Sequence, residues 1–351
     1  AVRLYAMGDD AVGRAATADE IESMAVIVRE AMEAGAVGFA TSFAITHIGA
    51  DGSPIPSRWA DRAEIEALFT AVADTGRGII GVNGGDNLSL RENYPLQKQI
   101  GIPFTYTAVL TNPKGGHLKA LEINRQGWED GAEVWPQVTC RPLSFSMTMV
   151  EPFTLNTNPV FAELAAGTIE ERRAAYADSG WRDRVREAWK APRMLVPRWD
   201  TMEVMMSATN ADLVGARITD LAESTGSDPF DTLMELTLAE DDLMLRIKVV
   251  LANDDVDGIA ILLQDERTTL GLSDAGAHVG QLCDAPQATD LLGNWVRDRN
   301  VMPMETAIRK LSGQQADLFG FVDRGYLRPG YWADITVFDP ETIDPGPVRR
   351  V

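Results

Sequence analysis

Cysteine, histidine and basic residues are all scarce in this chain of 351 residues. The two cysteines, Cys140 and Cys283, lie far apart and lack metal-type spacing, so a disulfide framework is not indicated and a reducing, cytoplasmic setting is expected. With 32 Lys and Arg against 52 Asp and Glu the formal charge is -20, which repels phosphate backbones and anionic lipid. Neither nucleic acid nor a membrane is therefore expected as a partner. No apolar run approaches membrane-spanning length. The opening Ala1-Val2-Arg3-Leu4-Tyr5 has neither an initiator Met nor a signal-peptide pattern, and a start further upstream is expected. What is present is ordinary for a folded protein: 45% hydrophobic and 24% charged residues, at a length that fits one large α/β domain or two smaller ones.

The first third alternates amphipathic stretches with short apolar ones, the rhythm of β-α units around a parallel sheet. Thr17 and Glu20 form a capping box, Ile21, Met24, Ile27, Val28 and Met32 recur at helical spacing, and Gly35 is a stop before a strand over Ala36 to Ala40. The cycle repeats with a helix capped by Asp61 and Glu64, ended by Gly76, and a strand over Gly78 to Val82. Two more cycles predict a short helix closed by Leu96 to Ile100 and a helix over Leu118 to Trp128, and strands over Pro103 to Leu110 and Ala132 to Val138.

Between about residues 144 and 268 the rhythm breaks into stretches read as mostly helical, a large insertion. Alternation resumes with a fifth strand over Thr268 to Leu272, then helices near Pro286 to Asp298 and over Met304 to Phe319 behind Pro303. Tyr331 to Asp339 reads as a short β segment after a Pro-Gly turn. The expected class is α/β. Five parallel-type strands do not close an eight-stranded barrel, so either the sheet is open or three units lie upstream.

The strongest local signal is Leu270-Gly271-Leu272-Ser273-Asp274-Ala275-Gly276-Ala277-His278, an apolar strand that ends in an acid within a small-residue loop. An acid at the C-terminal end of a parallel strand points at substrate, where it can bind a metal and take a proton from metal-activated water. The alternative for Asp274 is a helix cap or a loop pin. Ser273 to His278, followed some fifty residues on by Asp323-Arg324-Gly325-Tyr326-Leu327-Arg328-Pro329-Gly330-Tyr331-Trp332-Ala333-Asp334, resembles the C-terminal signature of the amidohydrolase superfamily. Ile308 to Gly320 and Ala31 to Ser42 resemble segments of its N-acyl-D-amino-acid deacylases (D-aminoacylases).

The resemblance implies an incomplete (β/α)8, TIM-like barrel of about five C-terminal units, truncated at both ends, over residues 1–323. It also implies the start of a returning β-sandwich segment over 324–351. The family's His-x-His pair is absent, since the histidines are only His47, His117 and His278, and the main ligands of a divalent metal, zinc by resemblance, are expected upstream. Where the deacylases carry metal-binding histidines, this chain has Asn83-Gly84-Gly85-Asp86 and Thr111-Asn112-Pro113, whose neutral oxygens hold zinc weakly. Two schemes remain: one ion held by upstream histidines with Asp274, or a rearranged site that recruits Asp86 or His117.

Other candidates follow from position. His117 after the Gly115-Gly116 pair is a ligand or a solvated helix-start histidine. His278 orients Asp274, touches substrate or makes a structural bond, and His47 reads as a surface residue. Arg141 suits a substrate carboxylate or an ion pair, and Asn83 stands at a strand end facing substrate. Cys140 has no evident base beside it and is not read as a nucleophile.

The expected activity is metal-dependent hydrolysis of a carbon–nitrogen bond other than a peptide bond, on a small-molecule N-acyl-D-amino acid, with Asp274 as ligand and proton shuttle. The alternatives are a cyclic amide or ureido substrate, or a catalytically silent barrel that binds a small ligand. The segment alone is expected to be inactive, its metal cradle being incomplete.

Overall fold

The computed structural model describes residues 1–49, 52–112, 114–191, 196–273, 275 and 285–346. Helix α1 (Val2–Met7) leads into α2 (Ala18–Glu33), and Thr17 accepts the Glu20 N–H while Glu20 returns a bond to the Thr17 backbone. Strand β1 (Gly38–Ser42) follows, then α3 (Arg62–Ala73), β2 (Ile79–Asn83), α4 (Asn93–Ile100), β3 (Phe104–Thr107), α5 (Gly116–Glu129) and β4 (Val134–Val138). Next come β5 (Leu143–Thr148), α6 (Pro159–Ala162), α7 (Ile169–Ala177), α8 (Ser179–Trp189), β6 (Glu203–Met206), α9 (Ile218–Thr225), α10 (Pro229–Leu238) and β7 (Arg246–Ala252). Helix α11 (Val256–Gln264) returns the chain to β8 (Thr269–Leu270). The chain then runs through α12 (Gln287–Asp290), a π-helical stretch Leu291–Asp298, α13 (Met304–Leu311) and α14 (Gly313–Phe319).

Strands β1-β2-β3-β4-β8 form one parallel sheet in that order. Because side chains alternate along a strand, one face carries Ile80, Val82, Phe104, Tyr106, Val134 and Val138, all buried against the helices. Phe69 of α3 meets Phe39 and Phe104 edge-on at centroid distances of 6.3 and 5.5 Å. The opposite face carries Ala40, Gly81 and Thr105, and at its C-terminal edge Ser42, Asn83, Thr107 and Gln137.

The stretch read as mostly helical also contains an antiparallel sheet in the order β5-β7-β6, a correction to that expectation. Arg246-Ile247-Lys248-Val249-Val250 alternates between half-buried and buried positions, and its apolar side joins Phe161, Tyr176, Trp181 and Phe230 in a second core. Alternation over so few residues is a weak signal beside the long helices around it. Helix α11, placed in the insertion by sequence, packs with α5 and so belongs to the parallel sheet's own layer. The helix behind Pro303 breaks at Ser312 into α13 and α14, and Tyr331 to Asp339 forms no strand. No helix among the described residues is long and apolar enough to cross a membrane.

Candidate functional site

Ligands of open parallel sheets bind outside the C-terminal strand ends, and that edge here is a row of neutral hydrogen-bonding groups. Ser42 pairs in register with Asn83, and Asn83 with Thr107. Thr107 Oγ1 donates to Gln137 Oε1 at 3.4 Å, and Gln137 Nε2 donates to Thr105 Oγ1 at 3.3 Å. Ser42, Asn83, Thr107 and Gln137 line a cavity of about 620 Å3 whose remaining walls are mainly apolar, among them Phe39, Phe43 and Leu68. That size suits a small molecule.

The loops above the row are held by close backbone approach. Phe43 N–H donates to Asn83 O at 2.8 Å, and a Cβ at Gly85 would lie 1.9 Å from Phe43 O, so the post-β2 turn seats against the post-β1 loop only without a side chain. His47 is half-buried, not the surface residue expected from sequence, and its Nδ1 lies 2.6 Å from Ser42 Oγ.

Asn253, fully buried at φ 63° just after β7, joins the strand-end loops. Its Oδ1 accepts the Thr111 N–H at 3.1 Å, and its Nδ2 donates to Thr139 O at 2.9 Å and Arg141 O at 2.8 Å. Sequence reading missed it, since nothing local marks a bond between residues more than a hundred positions apart.

The structure sets Arg141 beside Asp290 of α12, Nη1 to Oδ1 at 3.5 Å, both largely buried. His117 does not face the cavity. It is 5% exposed near the start of α5, its Nδ1 has no partner among the described residues, and its Nε2 and the Asp255 carboxylate both crowd Gly258 near the start of α11. Cys140 is buried, and burial with the neighbouring Asp290 charge pushes its thiol well above the usual range. Asp274 and His278 lie outside the described residues. Among the described residues no three His, Cys, Asp or Glu side chains stand together in a way that could hold a metal ion.

A parallel α/β sheet whose C-terminal edge opens onto a cavity defines the class of protein. The particular family is settled by comparison: the model of the amidohydrolase family matches residues 1–350, and the chain belongs to it. An uncharacterized protein of Mycobacterium bovis is 24% identical over 360 residues, which cover 93% of this chain and 57% of that protein. The chain thus spans little more than half the length of such relatives. The N-acyl-D-aspartate deacylase of Alcaligenes xylosoxydans is 30% identical over 129 residues, 34% of this chain and 25% of that enzyme. In fold, the N-acyl-D-glutamate deacylase of Bordetella bronchiseptica, solved with zinc and a phosphonate inhibitor, superposes with a TM-score of 0.62 at 23% identity. That match covers 99% of this chain and 62% of that one. A D-aminoacylase structure superposes with a TM-score of 0.59 at 21% identity, covering 97% and 60%.

Proposed function

We propose that this chain is the larger part of a (β/α)8-type amidohydrolase that cleaves a carbon–nitrogen bond other than a peptide bond, with an N-acyl-D-amino acid as substrate. The observation that carries the reading is the row Ser42, Asn83, Thr107 and Gln137 at the strand ends, facing a cavity of substrate size. Membership of the amidohydrolase family supports it, as do the deacylase names among the similar proteins.

In this reading the Asn83 and Gln137 amides hydrogen-bond the acyl group, Arg141, oriented by Asp290, grips the amino-acid carboxylate, and His278 contacts substrate. Asp274 passes a proton to the departing nitrogen. The neutral oxygens of the strand-end row do not fit a zinc site, and His117 is packed between two helix starts. If a divalent metal serves the intact protein, its main ligands lie outside the described residues, so no step is assigned to it. The second reading, a silent barrel that binds a small ligand, is favoured by the neutral Asn83 in that row.

The test is free-amine release by the intact protein from a panel of N-acyl-D- and N-acyl-L-amino acids, with a hydantoin and a ureido acid beside them. Release from the D-series is expected. Release from the cyclic or ureido members alone would reassign the substrate, and thermal stabilisation by panel members without any release would leave only the binding reading.

A further inference from the structure

We propose, on the hydrolase reading above, that the acyl part of the substrate is a long unbranched aliphatic chain, seated where the cavity wraps the outer edge of β1. Strand β1 ends the parallel sheet, and residues from both of its faces line the cavity, Phe39 on the helix side and Ala40 and Ser42 on the other. The row Ser42, Asn83, Thr107 and Gln137 gives one end of the cavity its hydrogen-bonding groups. Two residues back along the strands, roughly 7 Å below that row, Ala40 stands beside Gly81 in register. Ala40 is the exposed residue of β1, and these two small residues leave the floor of the cavity open.

On the α3 side the wall is apolar. Phe39, Ile65, Leu68 and Phe69 bound the cavity there, the last three held in the core at no more than 5% exposure. The charged side chains that border the cavity, Arg3 and Glu64, are engaged with each other. Arg3 Nη1 pairs with the Glu64 carboxylate, Nε donates to Ala11 O at 3.2 Å, and Nη2 donates to Arg14 O at 2.8 Å. Among the described lining residues no charged side chain is left to meet an acidic group, whose burial without a partner is strongly unfavourable. An alkyl chain, in contrast, gains from every methylene it takes out of water.

The sheet order sets which part of the substrate lies there. Arg141, the proposed holder of the carboxylate, follows β4, and β1 is three strands away, about 14 Å at the usual strand spacing. With the carboxylate at Arg141 and the amide at Asn83 of the intervening β2, the acyl chain is the part that extends towards β1. The cavity of about 620 Å3 lies in the range that encloses a drug-sized ligand, far more space than an acetyl group fills.

The test is kcat/KM of the intact protein for N-acyl-D-alanines from acetyl through butanoyl and hexanoyl to octanoyl, beside N-acetyl-D-amino acids whose side chains lengthen by the same steps. A rise of about fourfold is expected for each methylene added to the acyl chain. Ala40→Phe, which fills the floor, should cut the ratio of octanoyl to acetyl kcat/KM by at least about tenfold. A ratio taken within one protein does not depend on how much of that protein folds. A flat acyl series, a rise with side-chain length alone, or an undiminished ratio in Ala40→Phe overturns the proposal. Calorimetric titration of the same N-acyl-D-alanines separates it from the hydrolase reading. Dissociation constants that fall with acyl length while no amide is cleaved leave the aliphatic pocket standing and remove the hydrolase reading. Cleavage at one rate for every acyl length keeps the hydrolase reading and removes the pocket.

Discussion

Asn253 and Arg141 are joined by a 2.8 Å hydrogen bond from the asparagine amide to the arginine carbonyl, so a residue at the end of the antiparallel sheet sets the loop that leaves β4. The same side chain bonds Thr111 and Thr139, which ties the loops after β3 and β4 to one buried point. Asn253→Ala removes the side-chain partner of two buried backbone groups and one part-buried one, and puts a Cβ-bearing residue with no local hydrogen bond in the left-handed region. A loss of about 3 kcal/mol in denaturant unfolding is expected. Asn253→Gly loses the same bonds without the conformational cost and should be more stable than the alanine variant by about 1 kcal/mol.

Gly85→Ala drives a methyl group onto the Phe43 carbonyl oxygen, 1.9 Å from the Cβ position, with backbone on both sides of the clash. At Gly84 the nearest atom is Leu88 O at 3.3 Å, a distance a small shift relieves. Gly85→Ala should cost about 3 kcal/mol and Gly84→Ala well under half of that, measured by parallel thermal melts.

Lys310 carries a pH signature. Its Nζ is buried against Asp265 O at 2.8 Å and Thr268 O at 3.3 Å, and burial pushes its pKa from 10.5 down to about 8. Between those two values the unfolded chain binds more protons than the folded one, so this residue makes stability rise as pH climbs from 8 towards 10.5. The gain is at most about 3 kcal/mol. Lys310→Met should remove that rise, and the check is the difference between the two proteins' unfolding free energies at pH 8 and pH 10. A wild-type protein that gains no stability over the variant across that window would contradict the assignment.

How far the sequence could be read follows from the range of each interaction. The Thr17–Glu20 capping box is local, and it formed as read, with Thr17 N–H donating to Glu20 Oε2 at 2.7 Å. Asp61 caps its helix too, accepting from Glu64 N at 2.9 Å, yet the Glu64 carboxylate turns to the buried Arg3 instead of closing a box. That partner lies 61 positions away and leaves no local mark. The four early strands were legible from their apolar runs, with boundaries displaced by at most three residues. Tyr331 to Asp339 was expected as a short β segment, but a strand needs an edge to pair with, and Ile335 and Val337 are instead exposed. The place of Asn83 at the end of β2 was legible from the apolar run before it. Asn253 and the Ser42–His47 contact were not, because each depends on loops that close in three dimensions.

The most direct measurement of the central claim is kcat/KM for the best-hydrolysed panel amide in the intact protein, wild type beside Asp274→Asn. Loss of the proposed proton shuttle should lower it by at least about 100-fold with the thermal melt unchanged. Equal rates in the two proteins would contradict the proposed role of Asp274 and, with it, the strand-end reading proposed for this chain.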